Sequence, residues 1–196
     1  GFSQIIVDLK NDGAKVRPIR NMAGGEDFNE VVFDNVLVPK DRIVGEPGNG
    51  WQQVTSELAY ERSGPERFLS SFRVFVELVR ICGDNPSPHQ AAAIGRIASH
   101  FMTLRRMSLS VAGMLEAGKD VGVEAALVKE LGNNFEKVLP EIARLVVPDL
   151  SAVDAERQRL FRETFEETLM LSPSFTLRGG TREILRGVIA RGLGLR

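Results

Sequence analysis

The chain has 196 residues with a formal net charge of −1, and 43% of the residues are hydrophobic. This charge balance offers no electrostatic surface for nucleic acid or an anionic membrane, and no apolar run approaches the ~20 residues that cross a bilayer. One cysteine and two histidines exclude a disulfide framework and argue against a metal site. We therefore expect a cytoplasmic globular protein without metal, nucleic-acid or membrane partners.

The first part of the chain, residues 1–48, has the composition of β structure. It begins without a methionine or a signal peptide, directly in a strand-like run, which indicates a processed or truncated piece. Turn residues occur at Asn11–Gly13 and at Glu46–Gly50, and the second cluster marks the boundary of a helical domain, residues 49–196. About three strands are too few to close a barrel or sandwich. Three extended runs are expected, at Ile5–Leu9, Val16–Ile19 and Phe28–Val38.

Residues 49–196 have the periodicity of helices that each carry one apolar stripe. Gly64 and Pro65 break the first helix, Pro140 kinks the third because the stripe continues beyond it, and Ser151 is the expected N-cap of the fourth. Such helices pack best as an antiparallel bundle. The predicted fold class is mainly α, an antiparallel helical bundle preceded by a partial β domain. The helices are expected at about Trp51–Cys82, His89–Ala117, Val123–Val146, Ala152–Leu171 and Thr181–Leu193.

One candidate for chemistry is the ionisable pair Glu61-Arg62, which precedes the break at Gly64 and Pro65. Its neighbours are largely apolar, and a carboxylate held in apolar surroundings suits a general base that works near neutral pH. The alternative is an exposed Glu–Arg pair on a helix surface. From sequence physics by itself the exposed pair is the simpler interpretation.

A second candidate is the segment Arg178–Ile184, which contains two glycines before a helix. Gly179 and Gly180 let a backbone approach a ligand closely. Thr181 is placed to cap the helix, whose N-terminal N–H groups can hold a phosphate or a carbonyl oxygen. The alternative, and again the simpler interpretation, is an ordinary helix start with a glycine-rich entry.

Beyond these two segments, the chain carries a series of motifs in a fixed order. They are Gly1-Phe2-Ser3, Val7-Asp8, Val16-Arg17-Pro18-Ile19, Phe28-Asn29-Glu30-Val31-Val32-Phe33-Asp34-Asn35-Val36-Leu37-Val38-Pro39, Val44-Gly45-Glu46, Gly48-Asn49-Gly50-Trp51 and Gly179-Gly180-Thr181-Arg182-Glu183-Ile184-Leu185-Arg186. This series resembles the acyl-CoA dehydrogenase family. On that resemblance residues 1–48 correspond to the C-terminal part of the middle β domain, and residues 49–196 to the C-terminal helical domain.

The resemblance implies an FAD-dependent α,β-dehydrogenation of an acyl-CoA thioester, with an electron-transfer flavoprotein as electron acceptor. In the family a carboxylate takes the α-proton while the flavin accepts the β-hydride, and a backbone N–H binds the thioester oxygen. Most members keep the base immediately before the Gly-Thr of the terminal motif, where this chain has Gly179. Other members keep it in a Glu-Arg pair on the helix after the Gly-Trp block, which Glu61 and Arg62 match.

The resemblance thus gives expected roles to five residues of this chain. Glu61 is the expected base, and Arg62 and Gly179 are expected to contact the substrate. Thr181 and Glu183 match the terminal segment that contacts the flavin nucleotide in the family. No residue is assigned to a metal.

The chain departs from the family pattern around the flavin. In relatives the segment around the flavin ring lies upstream of Gly1, while Cys82–Pro88 stands where Arg-x-x-Phe-Gly is expected, and Leu171–Phe175 where Gln-x-x-Gly-Gly is expected. These departures resemble divergent bacterial members that form α2β2 heterotetramers and oxidise steroid side-chain CoA thioesters. Gly64 and Pro65, beside the expected base, likewise suggest a bulky or branched acyl group.

Two interpretations of the whole protein follow from these departures. In the first, the chain is the C-terminal portion of an acyl-CoA dehydrogenase that forms a homo- or hetero-oligomer through its helical domain, and the chain by itself is inactive. In the second, it belongs to a non-catalytic or FAD-poor interaction subunit of a heteromeric acyl-CoA dehydrogenase. The retained Glu61 favours the first, and the missing carboxylate at Gly179 favours the second.

Overall fold

The computed structural model describes residues 1–195. The chain forms two compact units, Gly1–Glu57 and a second that begins at Leu58. The first unit contains two antiparallel pairs of strands: β1 (Gln4–Ile5) pairs with β4 (Ile43–Val44), and β2 (Ala14–Ile19) pairs with β3 (Phe28–Phe33).

The first unit has four strands where three are expected. Strands β1 and β3 are shorter than the predicted runs, whereas β2 is longer. The run from Phe28 leaves its strand at Phe33, because Asp34 bonds through its N–H to the Gly13 carbonyl oxygen and Asn35 adopts a φ of +50°. Within residues 1–57 only Gly50 is buried, so the apolar side chains of β2 and β3 lie exposed. This unit therefore has no apolar core of its own.

The predicted break of the first helical stretch is confirmed. Helix α1 (Gly50–Ser63) ends before Gly64, a 3-10 turn follows at Pro65–Arg67, and α2 (Phe72–Cys82) continues the chain. Gly64 has an extended backbone, and Pro65 lies at the start of the turn, where its missing N–H costs nothing.

Four further helices complete the second unit: α3 (Pro88–Glu116), α4 (Gly122–Val146), α5 (Ala155–Leu171) and α6 (Arg182–Gly192). Pro140 lies inside α4, as predicted. The prediction of Ser151 as N-cap of α5 is wrong. Ser151 belongs to a 3-10 turn capped by Asp149, and Val153 is extended, so the helix begins later with Asp154 as its cap.

The apolar core of the helical unit lies between α2, α3, α4 and α5. Phe101 packs edge-on against Phe135, with ring centroids 4.8 Å apart. Core residues include Val74, Leu78, Ile97, Phe101, Leu104, Val128, Phe135 and Leu139.

The mainly α, bundle-type fold predicted from the sequence is confirmed. None of the helices within residues 1–195 combines the length and the apolar character that would be needed to cross a membrane.

Candidate functional site

The structure brings the two candidate segments of the sequence together. Arg62, in the last turn of α1, donates from Nε to the Gly179 carbonyl oxygen at 3.0 Å. Oε1 of Glu61 lies 2.9 Å from the point where a Cβ on Gly179 would stand. Residues far apart in sequence therefore form one site at the C-terminal end of α1.

The turn before α6 requires glycine at two positions. Gly179 and Gly180 have φ values of +65° and +107°, which side chains rarely tolerate. A Cβ on Gly179 would also stand 3.0 Å from Cε of Lys129, in addition to its contact with Glu61. The carboxylate of Glu61 and a side chain at position 179 therefore compete for the same space.

Glu61 has charged neighbours, whereas the sequence suggests an apolar environment. Oε1 of Glu61 accepts a hydrogen bond from Nη2 of Arg67 at 2.8 Å, and the main-chain oxygen of Glu61 accepts another from Nε of Arg67, also at 2.8 Å. The Arg67 side chain is 8% exposed and that of Glu61 is 39% exposed. Glu61, the candidate base, is thus bonded to a buried arginine, while part of its own side chain stays exposed to solvent.

Lys129, Asn133 and Glu136 form a buried polar row along one side of α4. With the Asn133 amide oriented to satisfy both of its ends, Lys129 Nζ donates to Asn133 at 2.7 Å, and Asn133 donates to the Phe175 carbonyl at 3.1 Å. Burial, aided by the nearby charges of Arg67 and Arg178, lowers the pKa of Lys129 to about 8.

Glu136 ties three segments of the chain together. Its Oε1 accepts a hydrogen bond from the Ser70 N–H at 2.7 Å, and its Oε2 accepts one from Nη2 of Arg178 at 3.1 Å. The Arg178 guanidinium also lies over the Phe175 ring, 4.6 Å from its centroid. Burial raises the pKa of the Glu136 carboxyl, although the hydrogen bonds from Ser70 oppose that shift.

Cations outnumber carboxylates in this cluster. The cluster has four cations and three carboxylates, of which Glu66 is the most exposed. The cations are Arg62, Arg67, Lys129 and Arg178, and the carboxylates are Glu61, Glu66 and Glu136. Burial lowers the pKa of Arg62 and of Arg178, and the neighbouring carboxylates oppose that effect. The surroundings therefore suit a reaction in which negative charge develops on a substrate.

Sequence reasoning missed Arg67, Lys129 and Glu136. The available signal was weak: three polar residues at 129, 133 and 136 share one helix side among apolar neighbours. Nothing in the sequence indicates that Arg67 turns back towards Glu61, because that contact depends on the 3-10 turn at Pro65–Arg67.

Thr181 occupies the expected N-cap position of α6 in an extended conformation, but its hydroxyl makes no capping hydrogen bond. Glu183 is exposed in the first turn of the helix. The start of α6 is held instead by Glu130 of α4. Its carboxylate accepts hydrogen bonds from Nη2 of Arg182 at 2.8 Å and from Nε of Arg186 at 3.0 Å. Within residues 1–195, no cluster of three or more His, Cys, Asp or Glu is arranged to hold a metal ion.

Comparison with curated proteins gives matches along the whole chain. Acyl-CoA dehydrogenase IpdE1 of Mycobacterium tuberculosis is 30% identical over 201 residues, which cover 100% of this chain and 51% of that protein. Acyl-CoA dehydrogenase IpdE1 of Mycolicibacterium smegmatis is 28% identical, again over 201 residues, covering 100% of this chain and 49% of that protein.

The chain is a homologue of the acyl-CoA dehydrogenases. It spans about half the length of the curated relatives it matches. No family model matches the chain. The resemblance drawn from the sequence motifs is thereby confirmed at the level of the family, an oxidoreductase family.

Solved structures agree on the fold. The structure titled Tcur3481-Tcur3483 steroid ACAD matches with a TM-score of 0.80 and 22% identity, covering 99% of this chain and 52% of that one. The ChsE4-ChsE5 complex from Mycobacterium tuberculosis matches with a TM-score of 0.75 and 23% identity, covering 99% and 53%. The fold of this acyl-CoA dehydrogenase homologue is thus the one seen in about half of each of those chains.

Proposed function

We propose that the protein is an FAD-dependent acyl-CoA dehydrogenase in which Glu61 is the general base, with this chain as its C-terminal portion. The observation that carries the proposal is the arrangement of Glu61 and Gly179. The Glu61 carboxylate approaches the space that a side chain at position 179 would fill, 2.9 Å from that Cβ position. The helix position therefore substitutes for the terminal-motif position that holds the base in most of the family.

The chain's own residues supply the acid–base part of this reaction. Glu61 takes the α-proton of the thioester, and the cations around it favour the negative charge that develops at the thioester oxygen. The Gly179 N–H is the proposed donor to that oxygen. Arg62 holds the Gly179 carbonyl at 3.0 Å, so we assign it the positioning of this turn in addition to the expected substrate contact.

The residues at the start of α6 fit the nucleotide part of FAD. The Thr181 hydroxyl makes no capping hydrogen bond to the helix, and the Glu183 carboxylate bonds to its own N–H. The other N–H groups of a helix N-terminus favour a phosphate or another electron-rich partner. Thr181 and Glu183 are the residues that would hold the cofactor here. When bound, FAD supplies the acceptor for the β-hydride.

The proposed substrate is an acyl-CoA with a bulky or branched acyl group. Gly64 and Pro65 follow the proposed base closely in the chain, and this position supports the proposal. They also line a cavity of about 470 Å³ with Tyr60, Leu109 and Leu115, which Glu61 and Gly179 do not line. The name of one structural match, a steroid ACAD, is compatible with this class. An electron-transfer flavoprotein is the proposed acceptor, and the cytoplasm the proposed location.

Oligomer formation through the helical domain is part of the proposal. Met102 of α3 and Leu131 and Leu145 of α4 are exposed apolar side chains, which favours a partner on these helices. The ChsE4-ChsE5 match is a complex of two proteins. The second candidate function, an interaction subunit without FAD, is favoured by the absence of a carboxylate at Gly179.

The test uses the full-length protein with Glu61→Gln. We expect the variant to bind flavin but to lose substrate-dependent bleaching of the flavin absorbance by at least ~100-fold in rate, since the amide cannot accept the α-proton. Glu57→Gln is the matched control, because Glu57 is an exposed carboxylate on the same helix, about one turn before Glu61. Full bleaching in Glu61→Gln would refute the assignment of the base.

Flavin content separates the two candidate functions. The full-length protein is purified alone and after co-expression with the product of the neighbouring gene, and its flavin absorbance is measured in both cases. Flavin in either preparation, together with bleaching by acyl-CoA, supports the enzyme. Flavin carried by the partner alone supports the interaction subunit.

A further inference from the structure

We infer that Arg67 is the positioning residue of Glu61: it holds one carboxylate oxygen and the main chain of the base, and leaves the other oxygen free to take the substrate proton. This inference rests on the proposed function. It concerns a residue that neither the motifs of the sequence nor the resemblance to the family singles out.

The two contacts of Arg67 fix Glu61 at both ends. Nη2 of Arg67 donates to Oε1 of Glu61, and Nε donates to its main-chain oxygen, each at 2.8 Å. A guanidinium presents its donors in a rigid plane, so two simultaneous bonds to one residue restrict both its position and its orientation. The carboxylate cannot rotate away from the Gly179 turn without breaking a charge-assisted bond.

The two carboxylate oxygens of Glu61 differ in their hydrogen bonding. Oε1 accepts the Arg67 bond, whereas no hydrogen bond within residues 1–195 engages Oε2. The Glu61 side chain keeps 39% of its surface exposed, and Oε2 is its carboxylate oxygen without a protein hydrogen-bond partner among the described residues. Glu136 shows the contrasting arrangement, since both of its oxygens are bonded and its side chain is fully buried.

Arg67 itself is held firmly. The 3-10 turn Pro65–Arg67 brings it back towards α1, and its side chain is 8% exposed. Its main chain packs so closely on α4 that a side chain at Gly132 would collide with the Arg67 carbonyl oxygen. A buried, rigid donor can position a partner, whereas a mobile surface arginine cannot.

In the proposed step the C–H bond at the α-carbon breaks and its electron pair stays on the substrate as an enolate. The proton forms an O–H bond with Oε2 of Glu61, while Oε1 remains bonded to Arg67. The step can be followed without hydride transfer. An acyl-CoA analogue with sulfur in place of the β-carbon has an acidic α-proton and no β-hydrogen to give up.

The experiment measures deuterium uptake at the α-carbon of that analogue in D₂O by mass spectrometry, with the full-length holoprotein. We expect Arg67→Met to slow the exchange by about 10-fold to 100-fold, the range that follows from a misplaced catalytic group, with analogue affinity within about twofold. Arg67→Lys keeps the charge but loses the planar fork, so it restores only part of the rate. Arg80→Met is the control, because it removes an exposed arginine from an ion pair with the buried Glu77, at 2.7 Å on α2.

A purely structural role for Arg67, as the partner of a helix-end carbonyl, is distinguished by a double-mutant cycle. If Arg67 acts through Glu61, then Arg67→Met added to Glu61→Gln lowers the residual exchange no further. Additive losses would overturn the inference, as would a wild-type exchange rate in Arg67→Lys. The second variant decides the question if Arg67→Met does not fold. Wild-type exchange in Glu61→Gln would instead refute the proposed function.

Discussion

Helix α4 has two buried sides with opposite chemistry. On one side Val128, Phe135 and Leu139 pack into the apolar core with α2, α3 and α5. On the other, Lys129 and Glu136 are equally buried, yet each depends on particular hydrogen-bond partners. One helix thus contributes both to the stability of the bundle and to the arrangement of the site.

The difference lies in how specific each side must be. An apolar side chain gains from any well-packed neighbour, since burial of apolar surface has no direction. Burying a charged side chain costs several kcal/mol of stability unless hydrogen-bond donors or acceptors lie at defined positions around it. The polar side of α4 therefore fixes where the Ser70 segment and the Arg178 segment lie, and these flank Arg67 and Gly179.

The largest expected effect comes from Glu136→Ala. It leaves the Ser70 N–H and the Arg178 guanidinium without their carboxylate partner, so we expect a loss of about 3–5 kcal/mol in the free energy of unfolding. Urea unfolding of the full-length protein measures this. In the folded fraction, we also expect substrate-dependent flavin reduction to fall at least ~10-fold, because the terminal turn loses its anchor.

Leu139→Ala is the control for that variant on the apolar side of the same helix. Leu139 is fully buried, and its truncation costs about 2–5 kcal/mol through lost burial and a cavity. We expect the folded fraction of this variant to retain its rate of flavin reduction. Equal rates in both variants would show that the polar side does not arrange the site.

The fold was largely predictable because periodicity reports apolar burial. The break at Gly64–Pro65 and the continuation of α4 beyond Pro140 are local signals, and both are confirmed, but Leu131, Val138 and Leu145 of the apolar stripe along α4 are exposed. The Ser151 prediction is wrong because Asp149 caps a 3-10 turn that contains Ser151, and Asp154 then caps the helix. The strand bounds were less predictable, since Asn35 turns the chain inside a run of β-forming residues.

The site was predictable only in part. The Gly-Gly turn and the Glu-Arg pair stand out in the sequence, and the structure brings them together through the Arg62–Gly179 contact. The charged environment of Glu61 could not be foreseen, because Lys129 comes from another helix and Arg67 reaches back through an irregular turn. Long-range polar contacts leave no periodic pattern in a sequence.

A smaller effect, of opposite sign, is expected from Lys129→Met. Burial lowers the pKa of Lys129 to about 8 from its usual 10.5, so the charged form costs stability at neutral pH. Methionine fills similar space without charge but leaves the Asn133 oxygen without its donor. We expect a net gain of about 1–2 kcal/mol at pH 7, measured by urea unfolding.

The pH dependence of that gain tests its origin. Between pH 8 and 10.5 the unfolded wild-type chain binds more protons at Lys129 than the folded chain, so wild-type stability rises with pH over this window. The advantage of Lys129→Met should therefore shrink as the pH rises from 8 to 10.5. Lys137→Met, at an exposed position of the same helix, is the control and should show no such trend. A gain that is independent of pH would contradict this account.

The smallest effect is expected from Glu130→Gln, at the edge of the polar side. Burial opposes ionisation of Glu130, but hydrogen bonds from Arg182 and Arg186 outweigh it, so its pKa is lowered. The stabilisation is then present above about pH 4.5, the ordinary value, and is lost as the pH falls through the lowered pKa. We expect a loss of about 1 kcal/mol at pH 7, with faster hydrogen exchange at the Leu185 amide. This difference should vanish in acid.

The control is Glu141→Gln, which breaks an exposed pair with Arg144 and should change stability by less than about 0.5 kcal/mol. If the two variants behave alike, the start of α6 is held by something other than this clamp.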